Sequence, residues 1–341
     1  MQIKNIHTEQ IISLTGDRPT GPLHLGHYVG SLQTRLQLQQ KDNLLSFIMV
    51  ANVQALTDNI DKPMMVHENV YQLIEDYLAI GLNPTKTFFF VQSDIKELYE
   101  LTTLLLNFVT ISRLKRNPTL KHEINIKRFT KSLPCGFFCY PISQAADILL
   151  FNTDIVPVGK DQLPMIEQTN EIVQQINHQY GEGTLKKIEA RISSTPTLCG
   201  INGPEKASKS LNNCIFLNDN EETVKKKVYS MYTDPNHIHV DDPGQIEGNV
   251  VFEYLDAFYH DITHLNELKR NYIKGGVGDM HLKHLLNTTL QNFLKPIRER
   301  RNNLTSTDLQ NAITIGTKQA RQQAKKVITK LRTKLYLDYI Y

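Results

Sequence analysis

The chain has 341 residues, of which 40% are hydrophobic and 21% are charged, and its formal net charge is +3. This composition is ordinary for a globular protein, and the length is sufficient for two domains with full cores. The sequence lacks the run of about 18 apolar residues that would predict a membrane span. The N-terminal segment does not have the apolar core of a secretory signal. The four cysteines form no CxxC pair, which argues against a zinc or iron–sulfur site and favours reduced thiols in a cytoplasm.

The first half of the chain alternates apolar runs with helical stripes. Ile11–Leu14 predicts a buried strand, and apolar residues at helical spacing from Leu25 to Leu36 predict a helix after it. Further strands are predicted at Leu44–Val50 and Phe88–Val91, separated by a helical stripe that ends near Gly81. Strands that alternate with helices predict a parallel sheet, and ligands bind such sheets beyond the carboxyl ends of the strands.

The second half begins with Ile95–Lys131, which is helical at first and then basic and loop-like, as expected for an insertion between two halves of the sheet. A helix is predicted at Tyr140–Phe151 and a strand at Ile155–Val158, whereas strand patterns fade after Glu221. The tail, residues 307–337, predicts a long helix with one apolar face. Its remaining positions carry seven cations without an intervening acid: Lys318, Arg321, Lys325, Lys326, Lys330, Arg332 and Lys334. Such a face is typical of a solvated helix or of phosphate contacts.

A glycine-rich turn follows the first predicted strand and leads into the motif HLGH, residues 24–27. His24 and His27 are three residues apart, so they share a helix face and can donate hydrogen bonds to phosphate at the helix N-terminus. Gly26 leaves the backbone open to a flat ring such as adenine. A metal pair is one alternative, but no neighbouring Cys or acid completes four ligands. A chance pair of histidines is another, and the preceding glycine-rich turn argues against it.

A second motif, KASKS at residues 206–210, follows a Gly- and Pro-rich stretch typical of a loop. Lysine is a compact charge that can neutralise phosphate oxygens, and serine adds hydroxyl donors. A loop that closes on a pyrophosphate would supply charge as the reaction proceeds. Without the HLGH motif, KASKS would be interpreted as a solvated loop.

The two motifs resemble the HIGH and KMSKS signatures of class I aminoacyl-tRNA synthetases. Ala207 stands where KMSKS has methionine. Within that class, four segments are similar to the bacterial tryptophanyl-tRNA synthetases, and the resemblance covers nearly the whole chain. The segments are residues 15–30 (TGDRPTGPLHLGHYVG), 140–147 with the tripeptides YPI and AAD, 156–162 (VPVGKDQ) and 232–235 (YTDP). The AAD and VPVGKDQ segments point to tryptophan, whereas the two signatures identify only the class.

The resemblance implies an α/β fold with a Rossmann-like, doubly wound parallel sheet of the HUP type and a C-terminal all-helical domain. Residues 1–217 would form the catalytic domain that binds ATP and tryptophan, with a mostly helical insertion at about 60–138 and the KMSKS-like loop at 204–211. Residues 218–341 would form a helical domain that binds the tRNA anticodon. The resemblance also implies a homodimer without a membrane anchor, located in the cytoplasm.

The resemblance further implies a reaction in which the carboxylate of L-tryptophan attacks the α-phosphate of ATP, with Mg²⁺ accompanying the nucleotide. The adenylate then passes its aminoacyl group to tRNA(Trp). The implied catalytic residues are His24, His27, Lys206, Ser208 and Lys209. The implied ATP-binding residues are Arg18, Pro19, Thr20, Gly26, His27, Gly159, Lys160, Asp161, Leu198, Lys206, Ala207, Ser208, Lys209 and Ser210. The implied tryptophan-binding residues are Tyr140, Gln144, Asp147 and Gln162.

Asp147 can also be interpreted physically. Indole has one polar atom, a donor, and needs an acceptor in an otherwise apolar pocket. The apolar residues that flank Asp147 predict that it faces inward rather than lying on a helix surface. A phenol can also donate to this carboxylate, so tyrosine specificity on the same fold stays an alternative. A paralogue that has lost catalysis and only binds RNA or a partner protein is a second alternative. Another nucleotidyl transferase with an HxGH motif would leave the tail helix and the AAD segment unexplained.

Overall fold

A computed structural model describes residues 10–127, 129, 132–192, 198–209 and 211–339. The strands within these residues are β1 (Ile11–Asp17), β2 (Leu44–Val50), β3 (Thr87–Val91), β4 (Ile155–Val158), β5 (Glu189–Ile192), β6 (Cys199–Gly200) and β7 (Gly203–Lys206). The α-helices are α1 (Leu25–His27), α2 (Gln33–Leu38), α3 (Asn52–Ala55), α4 (Pro63–Ala79), α5 (Glu97–Leu105), α6 (Ile111–Arg116), α7 (Pro118–Ile126), α8 (Cys135–Leu149), α9 (Leu163–Tyr180), α10 (Glu221–Tyr229), α11 (Val250–Phe258), α12 (Ile262–Lys274), α13 (Asp279–Asn303) and α14 (Ser306–Lys334). A π-helical stretch, Tyr28–Leu32, joins α1 to α2.

The central sheet has the strand order β3-β2-β1-β4-β5, and each of its neighbouring pairs is parallel. β1 and β2 pair from Ile11 opposite Leu44 to Asp17 opposite Val50, so the two strands end together. The predicted parallel sheet and helical C-terminal region are confirmed, and the four predicted strands are β1 to β4. β5 was not predicted. The strand order reverses between β1 and β4, and this switch point is where such folds bind their ligands.

Successive residues of a strand point to opposite faces, and both faces of this sheet are covered. In β2, Ile48 and Val50 belong to one apolar cluster with α4, α11 and α13. Phe47 and Met49 belong to a second cluster with α5, α8 and α9. When helices cover both faces of a parallel sheet, the sequence of each strand is apolar along nearly its whole length, and Leu44–Val50 has this pattern.

The segment predicted as an insertion at about 60–138 contains two elements of the sheet itself. α4 is the crossover from β2 to β3, and β3 pairs with β2 along its full length. The helices that interrupt the sheet therefore begin at α5, after β3, and continue through α7. This agrees with the narrower segment Ile95–Lys131 and differs from the wider range.

The C-terminal region is helical, but its last helix packs on the sheet. Ala320 and Ala324 of α14 belong to the same apolar cluster as Phe47, and Ala312 and Ile313 belong to the other cluster. A Cβ on Gly316 would lie 1.8 Å from the carbonyl oxygen of Phe89 in β3, so a glycine is required at this approach. β3 is an edge strand, and α14 lies against its backbone. The tail thus contributes to both apolar clusters of the first half, across the expected boundary at residue 217.

The helices of the described part of the chain include none with the length and apolar character needed to cross a bilayer.

Candidate active site

The HLGH motif lies where β1 ends and the first helix begins. His24 is the N-cap of α1, and its Nδ1 accepts a hydrogen bond from the Gly26 N–H at 3.1 Å. The Nδ1 of His27 accepts from the His24 N–H, also at 3.1 Å. The two rings lie with their centroids 3.8 Å apart. A Cβ on Gly26 would lie 2.9 Å from the His24 ring, so the motif requires glycine here to keep the ring against the backbone.

These contacts fix the protonation of both imidazoles. Each Nδ1 acts as an acceptor, so each neutral ring carries its proton on Nε2. Burial, followed by the charges of Lys209 and Lys206, lowers the pKa of His24 to about 4. Burial, followed by His24 and Lys209, holds the pKa of His27 well below its ordinary value. The two side chains therefore present neutral Nε2–H donors at neutral pH.

The KASKS loop docks onto the turn that carries HLGH. The Lys209 ammonium donates to the carbonyl oxygen of Gly21 at 2.7 Å. A Cβ on Gly26 would lie 3.5 Å from the Cβ of Ala207, so the two motifs are in contact. The HLGH motif also pairs with the segment that follows KASKS, since Leu25 N–H donates to Ile215 O at 2.9 Å. The two motifs therefore lie side by side.

The hairpin β6–β7 presents the loop, and buried residues hold it in place. The Ala207 N–H donates to the carbonyl oxygen of Leu198 at 3.1 Å. The Ser208 N–H donates to the side chain of Asn213 at 2.8 Å. The hydroxyl of Tyr254, in α11, donates to the carbonyl oxygen of Cys199 at 3.0 Å. The loop is therefore anchored at its base by the C-terminal helices.

A charged network lies between the two motifs and the sheet. Asp17, the last residue of β1, accepts from Arg35 at 2.5 and 3.1 Å and from the Tyr77 hydroxyl at 2.5 Å. Burial would raise the pKa of Asp17, but Arg35 and Tyr77 together lower it to about 2. Burial lowers the pKa of Lys209, and the Asp17 carboxylate opposes that shift. Asp17 thus supplies a fixed negative charge beneath the docked lysine.

A cavity of about 320 Å³ opens at the carboxyl ends of β1, β2 and β4. Asp17 is one of its lining residues, so the cavity and the two motifs adjoin. Six of the predicted site residues line it: Arg18, Tyr140, Gln144, Asp147, Gly159 and Gln162. Its walls otherwise include apolar side chains such as Phe137 and Ile148. The volume and the mixed lining suit a small molecule that has one large apolar part and a few polar groups.

Several buried polar atoms around this cavity have no hydrogen-bond partner within the described part of the chain. They are Thr15 Oγ1, Arg18 Nε and Arg35 Nε, and all three residues line the cavity. Buried polar atoms are normally paired, because an unpaired one costs about 1–3 kcal/mol. Their grouping in one cavity is typical of a ligand site.

Asp147 lies at the inner wall of the cavity with 3% of its surface exposed. The amide nitrogen of Gln92, which follows β3, donates to both carboxylate oxygens at 2.9 Å. The amide oxygen of Gln92 accepts from the Gln54 N–H at 3.0 Å, which fixes the orientation of the amide. Burial raises the pKa of Asp147 to about 7, and Gln92 opposes this shift. The inward-facing carboxylate was predicted, whereas its partner was not.

The turn after β4 forms the opposite wall. A Cβ on Gly159 would lie 2.6 Å from the Asp161 carboxylate, so a larger residue would displace that side chain. Gln162 donates to the same carboxylate at 3.0 Å. Lys160 and Asp161 are exposed, and the Asp161 carbonyl oxygen accepts from Thr119 at 2.8 Å.

Two more of the predicted residues lie on the turn beyond β1. Pro19 is buried and Thr20 is exposed, and the Thr20 N–H donates to the Arg18 carbonyl oxygen at 2.8 Å. Arg18 itself pairs with Asp58, which also pairs with Lys127.

Three further predicted residues are Leu198, Lys206 and Ser210. Leu198 is buried in the apolar core with its carbonyl oxygen on the loop, so its side chain packs rather than lining the cavity. Lys206 is exposed at the end of β7. Ser210 lies outside the described residues.

Three of the seven tail cations contact neighbouring parts of the chain. Arg332 pairs with Glu100, Arg321 donates to Asp94 O at 2.9 Å, and Lys330 donates to Gly183 O at 2.5 Å. All three side chains are exposed, so phosphate contacts by this face stay a prediction. Lys318, Lys325 and Lys326 are exposed.

The residues that sequence reasoning missed are Gln92, Arg35 and Tyr77. A partial signal existed, since Gln92 directly follows a predicted strand and Asp17 ends another. The pairing itself depends on which strands become neighbours.

The described residues do not bring three or more His, Cys, Asp or Glu side chains together where they could share a metal ion. Asp17 is held by Arg35 and Tyr77, and the Nδ1 atoms of both histidines are occupied by backbone N–H groups. The donor set around the motifs thus suits an anion and does not form a cage for a cation.

The chain is similar to known proteins over nearly its whole length. The profile of the tRNA synthetases class I (W and Y) matches residues 6–295, which contain both motifs and the cavity. The tryptophan–tRNA ligase of Clostridium longisporum is 49% identical over 332 residues, covering 96% of this chain and 97% of that protein. That of Streptococcus agalactiae serotype V is 52% identical over 295 residues, covering 85% and 86%. Among solved structures, the tryptophanyl-tRNA synthetase of Campylobacter jejuni complexed with ADP and tryptophan has a TM-score of 0.84 at 33% identity, covering 96% of this chain and all of that one.

Proposed function

The chain belongs to the class I tRNA synthetases of the tryptophan and tyrosine family, and from its similarity to the tryptophan–tRNA ligases we propose that it is a tryptophan–tRNA ligase. It activates L-tryptophan with ATP to form tryptophanyl-adenylate and pyrophosphate, and then transfers the aminoacyl group to tRNA(Trp). The observation that carries the proposal is the contact between the KASKS loop and the HLGH turn beside a cavity with a buried carboxylate.

The first step is a nucleophilic substitution at phosphorus. A carboxylate oxygen of tryptophan forms a bond to the α-phosphorus of ATP, and the bond to the bridging oxygen of pyrophosphate breaks. Pyrophosphate leaves with the electron pair, so negative charge accumulates on the leaving group. His24 and His27 would donate Nε2–H bonds to phosphate oxygens, and Lys209 and Lys206 would supply positive charge. Orientation and charge stabilisation carry such a reaction, since the protein forms no covalent bond itself.

The cavity would hold the amino acid. The indole N–H would donate to Asp147, whose two oxygens are oriented by Gln92. The ammonium group would contact Tyr140 and Gln162, with Gln144 at the same wall. A substrate without a donor at the indole position would leave the buried carboxylate unmatched, which is an effective way to reject it.

The nucleotide would lie between the cavity and the two motifs. Arg18, Gly26 and His27 would contact ATP, and the Gly159–Asp161 turn would meet the ribose. Mg²⁺ would enter bound to the ATP phosphates, because the described residues provide no cage for it.

ATP and tRNA are cytoplasmic, and the four free thiols fit that compartment, so we place the protein there.

For tRNA, we propose that the helical region after residue 217 binds the anticodon. Exposed Lys318, Lys325 and Lys326 would add phosphate contacts. Neutralising phosphates releases counterions, so tRNA affinity should fall steeply with salt. A homodimer is part of the same proposal, and sedimentation of the free protein would test it.

The decisive measurement is ATP–pyrophosphate exchange with each of the twenty amino acids, followed by charging of tRNA(Trp). We expect exchange that depends on tryptophan. Exchange with tyrosine and none with tryptophan would overturn the substrate assignment. Absence of exchange with every amino acid, with tRNA binding retained, would instead indicate a binding protein that has lost catalysis.

A further inference from the structure

A buried carboxylate joins three distant parts of the chain behind the ATP-binding turn. Asp76, in α4, is fully buried, and its Oδ2 accepts from the Leu23 N–H at 2.8 Å. Its Oδ1 accepts from Arg301 near the end of α13, and Arg301 also pairs with Glu75. The neighbouring Arg300 donates to the Ala79 carbonyl oxygen at 2.6 Å. α13 is thus fastened to α4, and α4 to the turn.

The charge on Asp76 depends on Arg301. A carboxylate that is removed from water without a partner is costly, and breaking such a pair destabilises a protein strongly. Burial raises the pKa of Asp76, whereas Arg301 and the Leu23 N–H lower it. Without Arg301, the carboxylate would either take up a proton or turn toward water. Either change would weaken its bond to Leu23.

Leu23 occupies the middle of the turn. Gly21, two residues earlier, accepts from Lys209, and His24, one residue later, caps α1. The carbonyl oxygen of Leu23 accepts from the Leu217 N–H at 2.9 Å. A shift of this backbone would move the lysine's docking point and the first histidine together. Asp76 also lies near enough to Lys209 for its charge to raise the pKa of that lysine.

We propose that Asp76 and Arg301 are positioning residues for the nucleotide half of the site. Through this pair, helix α13 of the C-terminal region sets the backbone at Leu23 and hence the placement of His24 and Lys209. The inference rests on the proposed function for its kinetic readout. It assigns a functional role to an ion pair that does not line the cavity.

The test uses the variants Arg301→Met, Asp76→Asn and the double variant in the full chain. Arg301→Met leaves the buried charge of Asp76 uncompensated. It should lower kcat/KM for ATP by about ten- to a hundredfold, which is the scale of a small misplacement of reacting groups. The KM for tryptophan should stay within about twofold, because the cavity is not displaced. In the double variant the asparagine oxygen can still accept from Leu23 without a buried charge, so most of the ATP effect should be recovered.

Arg298→Met is the matched control. Arg298 lies one turn before Arg301 on α13 and donates to Asp219 O at 3.3 Å, so its loss perturbs the same helix without touching Asp76. Its ATP parameters should equal those of the wild type at a comparable loss of stability. Arg301→Lys keeps a positive charge and replaces Arg301→Met in the same measurements if the methionine variant does not fold.

Readouts are exchange kinetics, the dissociation constant for ATP by calorimetry, and urea unfolding of each variant. Equal changes in the tryptophan and ATP parameters of Arg301→Met would overturn the inference, as would a double variant no better than the single one. Wild-type protein that binds ATP but shows no exchange would contradict the proposed function alone. The calorimetric comparison of variants would then still decide the positioning role.

Discussion

Replacing Gln92 with leucine removes the two hydrogen bonds that its amide donates to the Asp147 carboxylate. Both contacts come from one amide nitrogen, so we count them as one interaction, and a hydrogen bond to a charged group contributes about 1.5–3 kcal/mol. Each pKa unit corresponds to about 1.4 kcal/mol, so the pKa of Asp147 should rise by about 1–2 units. The starting value is about 7, and the variant's carboxyl should therefore titrate near pH 8–9, by the same arithmetic.

The sign of the effect follows from the role of the carboxylate. In the proposed complex the ionised form would accept strongly from the indole N–H, and protonation would remove that charge. In the wild type, kcat/KM for tryptophan should fall as the pH drops through about 7. In Gln92→Leu the fall should begin at the higher pH. The assay is pyrophosphate exchange at saturating ATP from pH 6 to 9.5, with kcat/KM for tryptophan at each pH, since this parameter reports ionisations of the free enzyme.

Gln39→Leu is the matched control, because Gln39 is also buried and bonds to Gly81 O and Asn83 N, both far from Asp147 in the sequence and outside the cavity lining. It should lose stability without moving the pH midpoint. Dividing the kcat/KM of each variant by that of the wild type at the same pH cancels the contribution from ionisation of free tryptophan. A Gln92→Leu profile that coincides with the wild type would refute the reasoning, since Gln92 would then not govern the charge on Asp147.

Three further outcomes are expected. Lys209→Ala should lower the rate of adenylate formation about a hundredfold, the scale of one charge-stabilising donor, in single-turnover measurements. Gly26→Ala should lower kcat for exchange and spare tryptophan binding, because the new Cβ would displace the His24 ring that lies 2.9 Å away. Tyr77→Phe should cost about 1–2 kcal/mol in urea unfolding at pH 7. That cost should shrink as the pH falls from about 4 toward 2, because Asp17 takes up a proton first in the unfolded chain and then, near its depressed pKa of about 2, in the folded protein as well.

Each of these has a control and an opposing result. Lys325→Ala removes an exposed lysine of the tail and should leave adenylate formation unchanged; a Lys209→Ala rate equal to it would favour a non-catalytic role for the loop. Gly136→Ala adds a methyl group where the Cβ meets open space, so equal losses in the two glycine variants would contradict the His24 explanation. For Tyr77→Phe, a cost that is the same at pH 7 and at pH 2 would exclude the Asp17 bond as its source.

The sheet could be predicted where burial on both faces leaves a continuous apolar run. β2 is predicted to the residue for this reason, β3 lacks only Thr87, and β1 is predicted without its last three residues. β5 could not be predicted, because Glu189–Ile192 is short, charged and largely exposed. The hairpin β6–β7 was missed because its strands are very short and lie in a Gly- and Pro-rich stretch.

The site was predictable as two motifs and an inward-facing acid, but its supporting contacts were not. Asp147 is flanked by apolar residues, which indicates burial, whereas its bond to Gln92 arises only when α8 packs beside the end of β3. For the basic tail, the sequence shows the cations but does not determine what they contact. A row of cations is consistent with solvent or with phosphate, and Arg332 finds Glu100 only because α14 folds back on the sheet.

The packing of α14 against β3 has a consequence for synthesis of the chain. β3 is an edge strand of the sheet, and α14, the helix that lies against it, follows it much later in the chain. An open strand edge is a template for pairing with other chains. A nascent chain, or one truncated before residue 306, therefore exposes this edge, because α14 covers the backbone of Phe89 only once residues 306–334 have been made. The helix thereby blocks pairing of the β3 edge with other chains.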